Sequence, residues 1–477
     1  MDKILTKGIY EHLQSLKNKE YSSLELTNAY LHSTEQNDPY LNAYITVAYD
    51  EAVRSAKAYD NGEAHGAIGG IPYALKDNIC TKGVLTTCGS KMLSNFVSPY
   101  DAFAAEKLKK AGGILLGKTN MDEFAMGSTT ELSAFKVTKN PLNKDRVPGG
   151  SSGGSAAAVV GKEAVFALGS ETGGSIRQPA AFCGAVGMKP TYGRVSRRGL
   201  IAYASSLDQI GPITKNVRDN ALIMSIISDY DSLDATSAKS NDVDFATDIG
   251  MGVKGLKIGI PEQYFNDGVS DDVKKAVLDA AYQYERLGAQ LVKVSIPSFK
   301  DAVSAYYIIA SSEASSNLAR YDGVRYGYRT KEYKTIEELY KNSRSEGFGL
   351  EVKKRIMMGT LVLSAGFYDA YYKKAVAVKE RVKADFKKAF EMCDVMIAPV
   401  APSVAYKFGK VISDPMELYM SDAYTVPINL AGIPALSIPC GCGEDNMPVG
   451  MQIIGPHFSE KLLYRVGYAF ENREVES

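Results

Sequence analysis

Short apolar runs alternate with stretches of helical periodicity along most of this 477-residue chain, and that alternation is what most narrows its fold. The runs at 71–79, 114–116, 164–168, 256–260, 290–296, 395–398, 435–439 and 450–454 have strand length and apolar content. Helical spacing fills 101–111, 271–287 and 368–392, and a closing helix starts at Glu460. Such an order implies an α/β fold, a central mixed β-sheet covered by helices on both faces. Residues 1–60 read as a helical lead-in packed on the core: Ser22-Ser-Leu-Glu25 is a capping-box signature, and helical pattern continues through Tyr49 to Tyr59. Residues 61–477 read as one large domain with a helical insertion around 300–390, since no Ser/Gly/Pro tract, like-charge run or internal period marks a linker.

Charge narrows the function classes. Lys plus Arg equals Asp plus Glu at 55 each, so no global field draws the chain onto a phosphate backbone or an acidic membrane. No stretch reaches the roughly 20 apolar residues that span a bilayer, and residues 1–10 lack the apolar core of a signal peptide. The expected location is the cytoplasm. Six scattered cysteines read as reduced thiols, and the one tight pair, Cys440-Gly-Cys442, lacks zinc-type spacing and histidine neighbours, so no metal is expected.

Chemistry is concentrated between Arg146 and Gly211, where one apolar run sits between two glycine-serine loops, Pro148-Gly-Gly-Ser-Ser-Gly-Gly-Ser155 and Gly169-Ser-Glu-Thr-Gly-Gly-Ser175. Glycine lets backbone approach a ligand closely. The amides of Thr172, Gly173, Gly174 and Ser175 are placed to converge as an oxyanion hole with the Ser175 hydroxyl at its edge; a flexible loop or a phosphate cradle has the same composition. None of the four histidines lies in this region, and His12, His32 and His65 read as surface residues, so another base is sought. Strand alternation puts Lys76 on one face with Pro72, Ala74 and Asn78, and turns Asp77 away. A lysine so placed loses its proton on burial and becomes a base; taken alone, the simpler reading is a strand-end lysine snorkelling to water. Gly112-Gly-Ile-Leu-Leu-Gly-Lys-Thr119 matches the Walker A pattern, but an apolar strand, 114–116, occupies what must be an open loop, so the nucleotide reading is rejected.

The text Gly149-Gly-Ser-Ser-Gly-Gly-Ser-Ala-Ala-Ala158, followed by Gly169-Ser-Glu-Thr-Gly-Gly-Ser-Ile-Arg-Gln-Pro179, resembles the amidase signature family. That resemblance implies a catalytic triad of Lys76, Ser151 on a cis peptide, and Ser175 as nucleophile. Further segments, among them Met121-Asp-Glu-Phe-Ala-Met-Gly-Ser128 and Val426-Pro-Ile-Asn-Leu-Ala-Gly-Ile-Pro434, are most similar to the family's subgroup of tRNA-dependent amidotransferase subunits. Glu171 departs from the Asp usual there, which implies a retuned loop.

The subgroup implies that glutamine is the amide hydrolysed, with Arg355 on its α-carboxylate, Asp422 on its α-ammonium and Tyr306 lining the pocket. Without the resemblance, these charges read as ordinary surface or structural ones. It also implies a heterotrimer with subunits B and C, which meets Glu-tRNA(Gln) through the partner and converts it to Gln-tRNA(Gln). No cofactor is expected in this chain; ATP and Mg are expected in the partner subunit. The alternative is a stand-alone amidase acting on small or aryl amides.

Overall fold

Eleven strands among the described residues form one sheet in the computed structural model, which describes residues 2–239, 243–266, 268–409 and 419–473. They are β1 (Tyr44–Val47), β2 (Pro72–Lys76), β3 (Ile114–Thr119), β4 (Phe166–Glu171), β5 (Val186–Lys189), β6 (Gln209–Thr214), β7 (Lys257–Pro261), β8 (Gln290–Val294), β9 (Val395–Pro399), β10 (Ala435–Cys442) and β11 (Pro448–Ile454). Their spatial order is β1-β3-β2-β4-β6-β5-β10-β11-β9-β7-β8. The sheet is mixed: β2 runs parallel to β3 and β4, β7 runs parallel to β8 and β9, and the remaining pairs are antiparallel.

Helices cover both faces. Ala181 of the helix Arg177–Cys183 lies against Gly450, whereas Gly467 of the helix Glu460–Glu471 lies against Leu436. Leu436 pairs with Ile453, three residues on from Gly450, so the period of two puts these contacts on opposite faces. Every residue of β2, β3 and β4 is buried, as expected of strands covered on both sides. Between β8 and β9 the chain runs through the helices Phe299–Asn317, Ile336–Gly347, Leu350–Val362 and Lys373–Ala389, which share a second apolar core with Met396 and Ile428.

Ser22 caps the helix Ser23–Leu41, its hydroxyl accepting from the Glu25 amide while the Glu25 carboxylate accepts from the Ser22 amide. Within residues 1–60, however, Tyr44–Val47 is a strand, antiparallel to β3 at the sheet edge, an element the helical reading does not contain. His12 is a second correction. It is fully buried, 2.8 Å from the Tyr21 hydroxyl and 3.4 Å from that of Tyr30, and burial lowers its pKa to about 3. The Walker-like lysine lies inside β3, where Lys118 Nζ donates to Ile79 O at 2.6 Å and Thr86 Oγ1 at 3.0 Å. With Gly117, Lys118 and Thr119 all in the strand, no phosphate loop exists there.

Candidate active site

Lys76 closes β2, between β3 and β4, and is fully buried, so the snorkelling alternative does not hold. Its Nζ lies 2.7 Å from Ser151 Oγ and 3.0 Å from the Ser170 carbonyl. Alternation sends Asp77 the other way, where its carboxylate accepts from the Thr87 amide and hydroxyl and sits 3.8 Å from Lys118 Nζ. Burial pulls the Lys76 ammonium down from 10.5 to about 7, against the opposing pull of the acids Asp122, Cys88, Asp208 and Glu171. An amine that is half neutral near pH 7 is a proton acceptor in reach of a hydroxyl.

Ser151 follows a cis Gly150–Ser151 peptide and leads into the helix Gly153–Val160. The two glycine-serine loops meet through the Ser152 amide, which donates to the Ser175 carbonyl at 3.2 Å. The Ser175 hydroxyl itself makes no hydrogen bond among the described residues, and this residue retains 7% exposure where Ser151 has none.

The loop before Ser175 has its carbonyls tied and its amides free. Gly173 O accepts from Thr425 Oγ1 at 2.5 Å, Gly174 O from the Gln178 amide at 2.9 Å and Ser175 O from Ser152. Among the described residues, the amides of Thr172, Gly173, Gly174 and Ser175 donate to nothing. Buried amides are paired as a rule, so four consecutive free ones beside a hydroxyl form an anion-binding concavity waiting for its ligand. Gly174 takes φ +158°, and a Cβ there would stand 2.4 Å from Thr425 Oγ1, so glycine is required.

Glu171 anchors the start of this loop. Its Oε2 accepts from the Ile176 and Arg177 amides at 3.0 and 3.1 Å, and its Oε1 accepts from Arg177 Nε and Nη2 at 2.9 and 2.5 Å. Burial opposes ionisation, but the Arg177 guanidinium wins and holds this carboxyl below its usual range. Arg177 also donates to Gln452 Oε1, Thr425 O and Asn429 Oδ1. The longer acid thus completes a bidentate pair that fixes the turn after Ser175.

Tyr306, Arg355 and Asp422 come together next to the same loop. A Cβ on Gly173 would meet the Tyr306 ring at 2.7 Å, and Thr425 Oγ1 bonds both Gly173 O and, at 3.2 Å, Asp422 O. Arg355 is held by Glu351 through Nε at 2.8 Å and by the Tyr203 hydroxyl through Nη1 at 2.7 Å, which leaves Nη2 unused among the described residues. Tyr307 joins the pair: its ring lies 5.1 Å from the Arg355 guanidinium and its hydroxyl donates to Asp422 Oδ2 at 2.7 Å. Burial raises Asp422 to about 7, opposed by the Tyr307 bond and by Arg355. A cation and an acid, each with an unused atom, flank a loop with four free amides.

Sequence reasoning did not single out Tyr203, Tyr307, Asp208, Arg177 or Thr425. Asp208 accepts from Thr172 Oγ1 at 2.7 Å and from the Tyr203 and Ala204 amides. No residue pattern signals such partners, because each lies tens to hundreds of residues from the atom it holds. Among the described residues no cluster of three or more His, Cys, Asp or Glu is arranged to hold a metal ion, and no helix is long and apolar enough to cross a membrane.

The sequence model of the Amidase family matches residues 25–464. One of two A subunits of glutamyl-tRNA(Gln) amidotransferase in Clostridium acetobutylicum, the one numbered 2, is 52% identical over 98% of this chain and 99% of its own. The A subunit of the glutamyl-tRNA(Gln) amidotransferase of Staphylococcus haemolyticus is 52% identical over 97% of both chains. The crystal structure of the corresponding A subunit from Thermotoga maritima superposes with a TM-score of 0.83 at 42% identity, over 98% of this chain and 95% of that one. A bacterial aryl acylamidase of the amidase signature family superposes at 0.86 with 26% identity, over 98% and 96%.

Proposed function

The chain belongs to the amidase family, and from that premise we propose that it is the glutamine-hydrolysing component of a tRNA-dependent amidotransferase, supplying ammonia for the conversion of Glu-tRNA(Gln) to Gln-tRNA(Gln). The observation that carries the reaction class is the row of four free amides, Thr172 to Ser175, beside the Ser175 hydroxyl and the Lys76–Ser151 pair. Full-length identity to the A subunits of such amidotransferases carries the substrate.

Ser175 Oγ attacks the carboxamide carbon of glutamine. Its proton passes to Ser151 Oγ as the Ser151 proton passes to neutral Lys76 Nζ, and the carbonyl electron pair moves onto oxygen facing the four amides. Collapse of this intermediate breaks the C–N bond, and the Lys76 proton returns through Ser151 to the leaving nitrogen, giving ammonia and an acyl-enzyme on Ser175. Water then repeats the path and releases glutamate. Arg355 Nη2 takes the α-carboxylate, Asp422 Oδ1 takes the α-ammonium, and Tyr306 closes the pocket over Gly173.

The balanced charge gives the chain no electrostatic footprint for a tRNA-sized polyanion, so tRNA is met through a partner. In this reading subunits B and C complete a heterotrimer in the cytoplasm, and ATP and Mg belong to the partner that activates the tRNA-linked glutamate. The test is labelling with a serine-reactive phosphonate and ammonia release from glutamine and from an aryl amide. We expect one adduct on the Ser175 peptide, none in Ser175→Ala, and turnover of glutamine alone. Labelling that survives Ser175→Ala moves the nucleophile elsewhere; preference for the aryl amide makes the chain a stand-alone amidase.

A further inference from the structure

Asp122 is fully buried and no cation lies within ion-pair distance of it among the described residues. It precedes the turn Glu123–Ala125, yet its carboxylate does not cap that turn. Instead Oδ2 accepts from the Thr130 amide at 2.9 Å and Oδ1 from the Leu132 amide at 3.2 Å. The carboxylate is wedged between two glycines: a Cβ on Gly150 would stand 2.2 Å from Oδ2, and one on Gly127 would stand 2.5 Å from Cγ. Gly150 is the residue before Ser151, so this acid lies against the backbone that presents the bridging serine.

Thr130 extends the grip. Its Oγ1 donates to Gly149 O at 2.8 Å and accepts from the Gly153 amide at 3.1 Å, one bond on each side of Ser151. The segment that does this is strained. Phe124, Ala125 and Thr130 all have positive φ, of 49°, 61° and 60°, a conformation that costs non-glycine residues about 1 kcal/mol or more each. Strain of this kind persists only where the surroundings over-determine it.

Four acids face Lys76, and three are committed elsewhere. Glu171 is paired with Arg177, Asp208 accepts from Thr172 and two amides, and burial keeps the Cys88 thiol neutral. Asp122 has two backbone amides and no cation, and its charge acts on Lys76 more strongly than the others do. The other ionisable group facing Asp122 is Glu131, a like charge. We propose that Asp122 is a positioning residue of the Lys76–Ser151 relay: its carboxylate holds the Ser151 backbone in place and supplies the negative charge that the Lys76 ammonium meets once it has taken a proton. The triad works as a tetrad, with the acid acting on the lysine as a buried carboxylate acts on the histidine of a serine protease.

This inference rests on Lys76 as the base of amide hydrolysis, so wild-type glutaminase activity is measured first; its absence sinks that reading and not this one. The experiment is the pH profile of kcat/KM for wild type, Asp122→Asn and Thr130→Val. Loss of the Asp122 charge leaves the ammonium less stabilised, so the acid limb moves to lower pH by about one unit, and kcat falls about ten- to a hundredfold. Thr130→Val, which loosens the loop without removing charge, lowers kcat and leaves the limb where it was. Asp122→Ser, smaller and neutral, asks the same question should Asp122→Asn not fold. An acid limb unmoved in a folded, active Asp122 variant overturns the proposal, as does a Thr130→Val limb that shifts as far as that of Asp122→Asn.

Discussion

The Thr425 hydroxyl donates to the Gly173 carbonyl at 2.5 Å, which latches the turn carrying Asp422 to the loop whose amides face the reacting carbonyl. Substrate recognition and oxyanion binding are therefore mechanically one unit. Thr425→Val keeps the shape but leaves a buried carbonyl unsatisfied, at a cost of about 1–3 kcal/mol. We expect kcat for ammonia release to fall about ten- to a hundredfold and Thr425→Ser to restore most of it. A fully active valine variant would show that the loop holds its shape without the latch.

The Lys76 amine must be neutral to accept a proton, and burial has brought it to about 7. Glutaminase kcat/KM should therefore be lost as pH falls through about 7 and level off above it. Lys76→Arg, charged at every working pH, should be inactive throughout. A profile flat from pH 5.5 to 9 in the wild type is the result that removes Lys76 from the base role.

Removing Arg355 takes away a contact made equally in ground and transition states, so Arg355→Ala should raise KM for glutamine about ten- to a hundredfold with kcat within a few-fold. Asp422→Asn keeps an acceptor for Tyr307 and loses the charge for the α-ammonium, with the same KM-selective effect. Because Asp422 sits near 7 without ligand, wild-type KM should climb below that pH. Unchanged glutamine KM in both variants would leave the α-groups to other residues.

Lys118 is buried beside Asp77 and serves structure. Lys118→Met strands the Asp77 carboxylate without its cation, and such a loss costs about 3–5 kcal/mol. Urea unfolding should register that loss, while calorimetry with ATP should give no binding heat in either protein. Unaltered stability together with ATP binding that vanishes in Lys118→Met would restore the phosphate loop.

Local rules carried far in this chain. The Ser22–Glu25 box marked a helix start, the apolar run at 114–116 excluded a nucleotide loop, and a period of two sent Lys76 and Asp77 to opposite faces. Strands β5 and β6 were not legible, since Val186–Lys189 is short and Gln209–Thr214 carries Gly211 and Pro212, residues that break strand patterns. β1 hid between two helical stretches for the same reason of length. His12 read as exposed because its burial is produced by Tyr21 and Tyr30, and not by its own neighbourhood in sequence. Asp122 and Asp208 lie within reach of pattern reading, but only folding shows that one is paired to backbone without a cation and the other to Thr172.

The depressed proton affinity of Lys76 also couples acidity to the integrity of the fold. An unfolded lysine binds its proton up to about pH 10.4, whereas the folded one releases it above about 7, so unfolding between those values takes up a proton. Stability from this group therefore rises with pH across that window, and its full penalty stands below it. The deprotonated lysine that hydrolysis requires is the same species that the sheet tolerates best. Acidification would weaken catalyst and scaffold together, through one atom.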